Sequence, residues 1–104
     1  MAKRSGIDEI KIRAMDNLAE AYVKNGDYEK AIRIYVDRTK TIKSGSENAW
    51  INHNWGRCLL EQGHFDMAEA KGKAALKAAK EANDRQWQLN AKVLIAQAQS
   101  KSML

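Results

Sequence analysis

Residues 19–31 read AEAYVKNGDYEKA and residues 56–68 read GRCLLEQGHFDMA. Laid over each other, they place Ala19 on Gly56, Tyr22 on Leu59, Gly26 on Gly63, Tyr28 on Phe65 and Ala31 on Ala68, every pair 37 residues apart. The shared order is a small residue, a bulky apolar residue, a glycine, then aromatic-x-x-alanine. Each type has a physical task. Small residues let two helices approach closely, the aromatic fills the wedge between them, and glycine turns the chain in a short connection. The pattern predicts two antiparallel helix pairs stacked in series.

Periodicity extends this outward to five helices. The first is expected over about 8–24, with Ile12, Met15, Leu18, Ala19 and Tyr22 on one face and Arg13, Asp16, Glu20 and Lys24 on the other. Gly26 suits a left-handed C-terminal position, and Asp27 is expected to cap the second helix, about 28–43, which buries Tyr28, Ala31, Ile32, Tyr35 and Val36. The KSGSEN connection carries Ser44 and Glu47 at capping-box spacing. Helix three is expected over about 47–62. Helix four, about 65–82, turns Phe65, Ala68, Ala75, Leu76 and Ala79 inward, and helix five, about 85–100, uses Trp87, Ala91, Leu94, Ile95 and Ala98.

Composition agrees with an all-α chain. Among 104 residues there is no proline, and 44% are apolar. The length suits one domain. The net charge of +5 favours acidic partners. Because Lys and Arg alternate with acids along the whole chain, however, nucleic acid is not the expected ligand. A single cysteine forms no internal disulfide, the MAKRSGIDEI head lacks a signal peptide's apolar run, and no window approaches the ~20 apolar residues of a membrane span. The expectation is a soluble cytoplasmic helical domain.

The repeat resembles the tetratricopeptide repeat (TPR), W-x2-L-G-x2-Y…A-x3-F…P. Leu18-Ala19 with Tyr22, Trp55-Gly56 with Leu59, and Ala31 with Tyr35 carry the match. The resemblance implies a right-handed α-solenoid of about 2.5 repeats: about 12–43, about 49–82 and a capping or partial unit over about 84–100. There are departures. Gly72 stands where the second repeat calls for an aromatic, Lys80 where proline is usual, and the spacing of 37 exceeds the family's 34. Fewer than about three repeats also suggests a piece of a longer array, the alternative being a complete domain capped by helix five.

WINHNWGRCLLEQGHFDMAEAKGKA at 50–74 and DRQWQLNAKVLIAQAQSK at 84–101 are, more narrowly, similar to repeats of the TPR-subunit family of the outer dynein arm docking complex. That likeness implies a non-enzymatic adaptor on the axoneme of motile cilia. Its partners would be coiled-coil docking-complex subunits or axonemal dynein components. A different TPR adaptor, such as a cargo or polarity scaffold, is the other reading.

The TPR resemblance implies a partner groove lined by the first helix of each pair. The matching positions are Arg13, Asp16, Asn17, Glu20 and Lys24, then Trp50, His53, Asn54, Arg57 and Glu61, then Arg85, Gln88 and Lys92. Mixed charge suits a peptide segment or helix bearing both signs, with Trp50 as an anchor or as packing against helix two. Members that clamp a chaperone's terminal carboxylate use Lys and Asn; here Asp16 and Glu20 stand in those positions and would repel one.

Residues 52–65, NHNWGRCLLEQGHF, bring two histidines and the cysteine together. They do not read as chemistry. His53 and Cys58 are five apart, a rotation of about 140° on a helix, and point to different sides. A zinc site needs three or four converging ligands, and a nucleophilic cysteine needs an adjacent base and exposure. No enzyme activity, metal, cofactor or small-molecule substrate is therefore expected. The lysines of helix four are expected on a solvated outer face, with Glu69–Lys73 and Lys77–Glu81 as i,i+4 pairs.

Overall fold

The computed structural model describes residues 4–104, so the first three residues of the MAKRSGIDEI head lie outside it. Five α-helices follow one another: α1 (Gly6–Lys24), α2 (Tyr28–Arg38), α3 (Gly45–Glu61), α4 (Phe65–Glu81) and α5 (Arg85–Ser102). A 3-10 turn, Thr39–Thr41, follows α2. No strand occurs among the described residues. The architecture is the all-α stack of helix pairs that the repeat predicts.

Three of the four connections use one device. Gly26 (φ +79°), Gly63 (φ +84°) and Asn83 (φ +55°) sit in the left-handed region one or two residues beyond a helix. At each, the next N–H donates to a carbonyl one turn back: Asp27 to Tyr22, His64 to Leu59 and Asp84 to Ala79, at 2.8, 2.9 and 2.9 Å. These bonds satisfy carbonyls that the helix end would leave unpaired. Two are glycines. Asn83 tolerates the same conformation because its short amide side chain suits it.

Caps move the predicted boundaries. α1 begins at Gly6, two residues early, because Ser5 and Asp8 form a full capping box. Asp84 caps α5, accepting from the Trp87 N–H at 3.2 Å. Asp27 makes no side-chain cap bond to α2; its carboxylate accepts from Asn25 instead. Ser44 caps α3, accepting from the Glu47 N–H at 3.2 Å, but the Glu47 carboxylate turns away to Arg38, so only half of that capping box forms.

The largest correction is to α2, which ends at Arg38 rather than near 43. Thr39 donates its hydroxyl proton to the Val36 carbonyl at 2.6 Å, and Thr41 to the Arg38 carbonyl at 2.9 Å. Such hydroxyls compete with the helix ladder for its last carbonyls. Ile42 then turns extended and packs on the first core.

Ala19, Ala31, Tyr35, Ile51 and Cys58 form that first core, with Tyr22, Tyr28, Trp50 and Trp55 around it. Leu59, Leu60, Ala68, Leu94 and Ala98 form a second under Phe65, and Ala49, Ala78 and Ala79 a third under Trp87. Leu18 and Val36, expected inside, sit at the margins of their stripes and stay 47% and 38% exposed. A β-carbon on Gly72 would lie 2.7 Å from Ile95 Cγ1. That contact explains the missing aromatic: α5 occupies the space where it would stand. Gly56 meets Leu94 in the same way, at 2.7 Å.

Candidate functional site

α1 and α3 stand apart on one side of the stack, and a cleft of about 610 Å³ opens between them. Asp16, Asn17 and Glu20 form one wall, and Trp50, His53, Asn54, Arg57 and Glu61 the other. Val23, Tyr28, Tyr35 and Cys58 make the apolar floor. Repeat geometry builds the walls. Asp16 and His53, Asn17 and Asn54, and Glu20 and Arg57 are equivalent positions 37 residues apart, all lining the cleft. The cleft therefore offers two carboxamides, carboxylates and a guanidinium above an apolar base.

A family model for the tetratricopeptide repeat matches residues 14–45, the span from α1 into the start of α3. Over that span the chain is similar to the tetratricopeptide repeat family. Its likenesses run further than one repeat. It is 38% identical over 101 residues to outer dynein arm-docking complex subunit 4 of Danio rerio, and 36% identical over 101 residues to the proteins of that name from Mus musculus and Homo sapiens. Those matches take in 97% of this chain and 21, 16 and 15% of the respective relatives. The chain thus spans about a fifth or less of the relatives' length. No solved structure matches it.

Eight of the thirteen groove positions expected of a TPR chain line this one cleft, and five do not. Arg13 lies outside it, and Lys24 reaches along its own helix to Glu20 at 3.2 Å. On α5, Arg85 and Lys92 are exposed and Gln88 is half-buried, all three away from the cleft. His53 turns toward α5 as well, its ring standing edge-on to Trp87 with centroids 5.2 Å apart. Burial pushes the His53 imidazole below its ordinary pKa, with Arg57 adding to the effect against the Asn54 hydrogen bond.

Charge in the cleft differs from a simple reading of its residues. Arg38, 1% exposed, donates from Nε to Asp16 at 2.6 Å and from Nη1 to Glu47 at 2.9 Å and to the Thr41 hydroxyl at 2.6 Å. The indole of Trp50 lies on its guanidinium, 5.5 Å from ring centroid to Cζ. Arg4 joins from the N-terminal side, donating to Glu47 and to the Thr41 carbonyl. Burial acts to lower the Arg38 pKa, but its hydrogen bonds to the Asp16 and Glu47 carboxylates outweigh it and hold the guanidinium above its ordinary value.

Asp16 is paired with the buried Arg38 and so repels an incoming carboxylate less than expected, whereas the Lys24–Glu20 pair is solvent-exposed and screens Glu20 only weakly. Trp50 is packing and lining at once. It covers Arg38 on one side and borders the cleft on the other.

Arg38 is the residue that sequence reasoning missed. Its signal was present: Ala31, Tyr35 and Arg38 fall at i, i+4 and i+7, so a cation sits on the buried stripe of α2. Lys71 is a second miss. Instead of standing in solvent with Lys73, Lys77 and Lys80, it lies over the Trp55 ring at 3.4 Å, half-buried, and burial lowers its pKa. Of the helix-four pairs, Lys73–Glu69 forms at 3.2 Å and Lys77–Glu81 does not.

Cys58 is 1% exposed, and burial pushes its thiol up to about 11. It is a neutral packing group at the cleft floor. Among the described residues no three His, Cys, Asp or Glu side chains gather as a metal would need, and no helix is long and apolar enough to cross a membrane.

Proposed function

We propose that this chain is a non-enzymatic protein-interaction module whose α1–α3 cleft holds a segment of a partner protein. We further propose that it serves as an axonemal adaptor helping to attach outer dynein arms to doublet microtubules. The cleft carries the first part. It faces outward, its walls end in amides and opposite charges at repeat-equivalent positions, and its apolar floor is pre-formed. An α-helix is ~10–12 Å across with its side chains. A volume of about 610 Å³ suits a few residues of an extended segment better than a whole helix. The name shared by the relatives, outer dynein arm-docking complex subunit 4, supports the second part.

Trp50 is the proposed anchor, and Asn17 with Asn54 the proposed grip on the segment's backbone. Immobilised chain incubated with ciliated-cell extract should recover outer-arm dynein or the coiled-coil docking subunits. Arg57→Glu, an exposed change that sets two carboxylates across the cleft, should cut that recovery about tenfold with the melting temperature unchanged. Recovery of the same proteins by Arg57→Glu and by a Trp50→Ala variant that still folds would remove the cleft from the proposal. Recovery of cargo adaptors in place of axonemal proteins would remove the cilium.

A further inference from the structure

Arg57 and Glu61 stand one turn apart on α3, both exposed and both lining the α1–α3 cleft. Three i,i+4 pairs close among the described residues, Glu20–Lys24, Glu29–Arg33 and Glu69–Lys73, at 3.1 to 3.2 Å, and each has its acid first. Arg57–Glu61 and Lys77–Glu81 have the base first and stay open. The order is the cause. An acid nearer the helix N-terminus agrees with the helix dipole, and the reverse order works against it. Asp16 is held by Arg38, and Glu20 has Lys24 beside it. Of the charges lining the cleft, only Arg57 and Glu61 have no ion-pair partner among the described residues. Walls and floor all come from residues 16–61, with α4 packed against α3 beyond them, so the cleft is built wholly within the stack.

Spacing sets what the two open charges fit. Four helical residues rise about 6 Å. Two residues of extended chain advance about 6.6 Å and bring their side chains to the same side. From this match we infer that the cleft selects an extended partner segment with an acidic and a basic residue two positions apart. The segment's carboxylate meets Arg57 and its cation meets Glu61. This rests on the cleft being a site for a partner segment, and adds what that segment must carry. A wholly basic segment fits poorly, because covering Arg57 without an anion strips its water and replaces none of its hydrogen bonds. A wholly acidic one leaves Glu61 in the same position and meets Glu20 as well. A partner helix repeats the 6 Å step, but a cleft of about 610 Å³ has room for extended chain rather than for a cylinder ~10–12 Å across. From Trp50 to Glu61 the α3 wall runs about 16 Å, the length of about five extended residues.

The test titrates the isotope-labelled 104-residue chain with the peptide Leu-Glu-Leu-Lys-Leu, capped at both ends, and follows amide NMR shifts. Saturable shifts in α1 and α3 are expected. Leu-Lys-Leu-Lys-Leu and Leu-Glu-Leu-Glu-Leu should bind about tenfold more weakly, and so should Glu-Leu-Leu-Leu-Lys, whose charges are four positions apart. Reversing one wall charge should reverse the choice. Arg57→Glu should take the doubly basic peptide, and Glu61→Lys the doubly acidic one, each within about threefold of the native chain with the mixed peptide. Circular dichroism confirms that both variants fold. Equal binding of the four peptides overturns the charge pairing and leaves the cleft an unselective peptide site, as does a reversal variant that keeps the native preference. Tightest binding of the doubly basic peptide by the native chain assigns the cleft to cationic segments, and equal binding of Glu-Leu-Leu-Leu-Lys assigns it to a helix. Shifts in neither α1 nor α3 with any peptide remove the peptide site itself.

Discussion

Arg38 is a charge where the repeat's own pattern calls for core, and its neighbours explain why it is tolerated there. Every polar group it offers is directed at a partner: Nε and Nη2 to the two oxygens of Asp16, Nη1 to Glu47 and Thr41. A buried cation held this way costs little while the set is intact and a great deal once it is broken. Arg38→Met keeps volume but leaves Asp16 without its counter-charge and Glu47 with Arg4 alone. Since Asp16 is still about a quarter exposed, the lower end of the usual range applies. We expect a loss of about 3 kcal/mol in urea unfolding. Arg38→Lys should recover part of it, because an ammonium reaches one carboxylate but not the fork to both. A change below about 0.5 kcal/mol for Arg38→Met would show the network to be surface decoration.

At the scale of elements, what could be read in advance was what repeats. Gly26 and Gly63 carry the two intra-repeat turns, and the small residues at 19, 31, 56 and 68 mark the crossings, because a short turn or a close approach admits few residue types. The end of α2 was not legible. Thr39 and Thr41 are ordinary helix residues by type, and only the bonds their hydroxyls make to the preceding turn stop the helix. The cleft was legible in part for a related reason. Equivalent positions on α1 and α3 share a face, but whether α5 extends that wall depends on how it rotates against α4, and Gly72 sets that rotation through Ile95. Restoring the family's aromatic at this position should therefore be harmful. Gly72→Phe is expected to cost about 3 kcal/mol or more by thermal or urea melting, since α5 must shift or unpack to admit the ring. A stable Gly72→Phe variant would mean that α5 is not held against α4 at that point.

Over the whole molecule the packing is uneven, and so should be the stability. α4 lies between α3 and α5, and its alanines at 68, 75 and 79 are fully buried. α1 rests mainly on α2, and the cleft separates most of its length from α3. The Asp16–Arg38–Glu47 chain ties it across to α2 and α3, beside the Arg4–Glu47 pair and the contact of Ala19 with the first core. Regions with fewer buried contacts open locally at lower free energy than the global transition. Backbone amides of α1 should therefore exchange with solvent faster than those of α4 by about one to two orders of magnitude. Asp16→Asn keeps the side chain's shape and removes the charge by which Arg38 holds α1. It should lower protection in α1 about tenfold further and leave α4 within about twofold. If α4 loses protection as much as α1, the helices open as one unit and the Arg38 network stabilises the whole stack. If neither changes, α1 is held by its apolar contact with α2 alone. Only loss confined to α1 and its neighbours gives the cleft one movable wall, the property a groove needs to admit a segment and close on it.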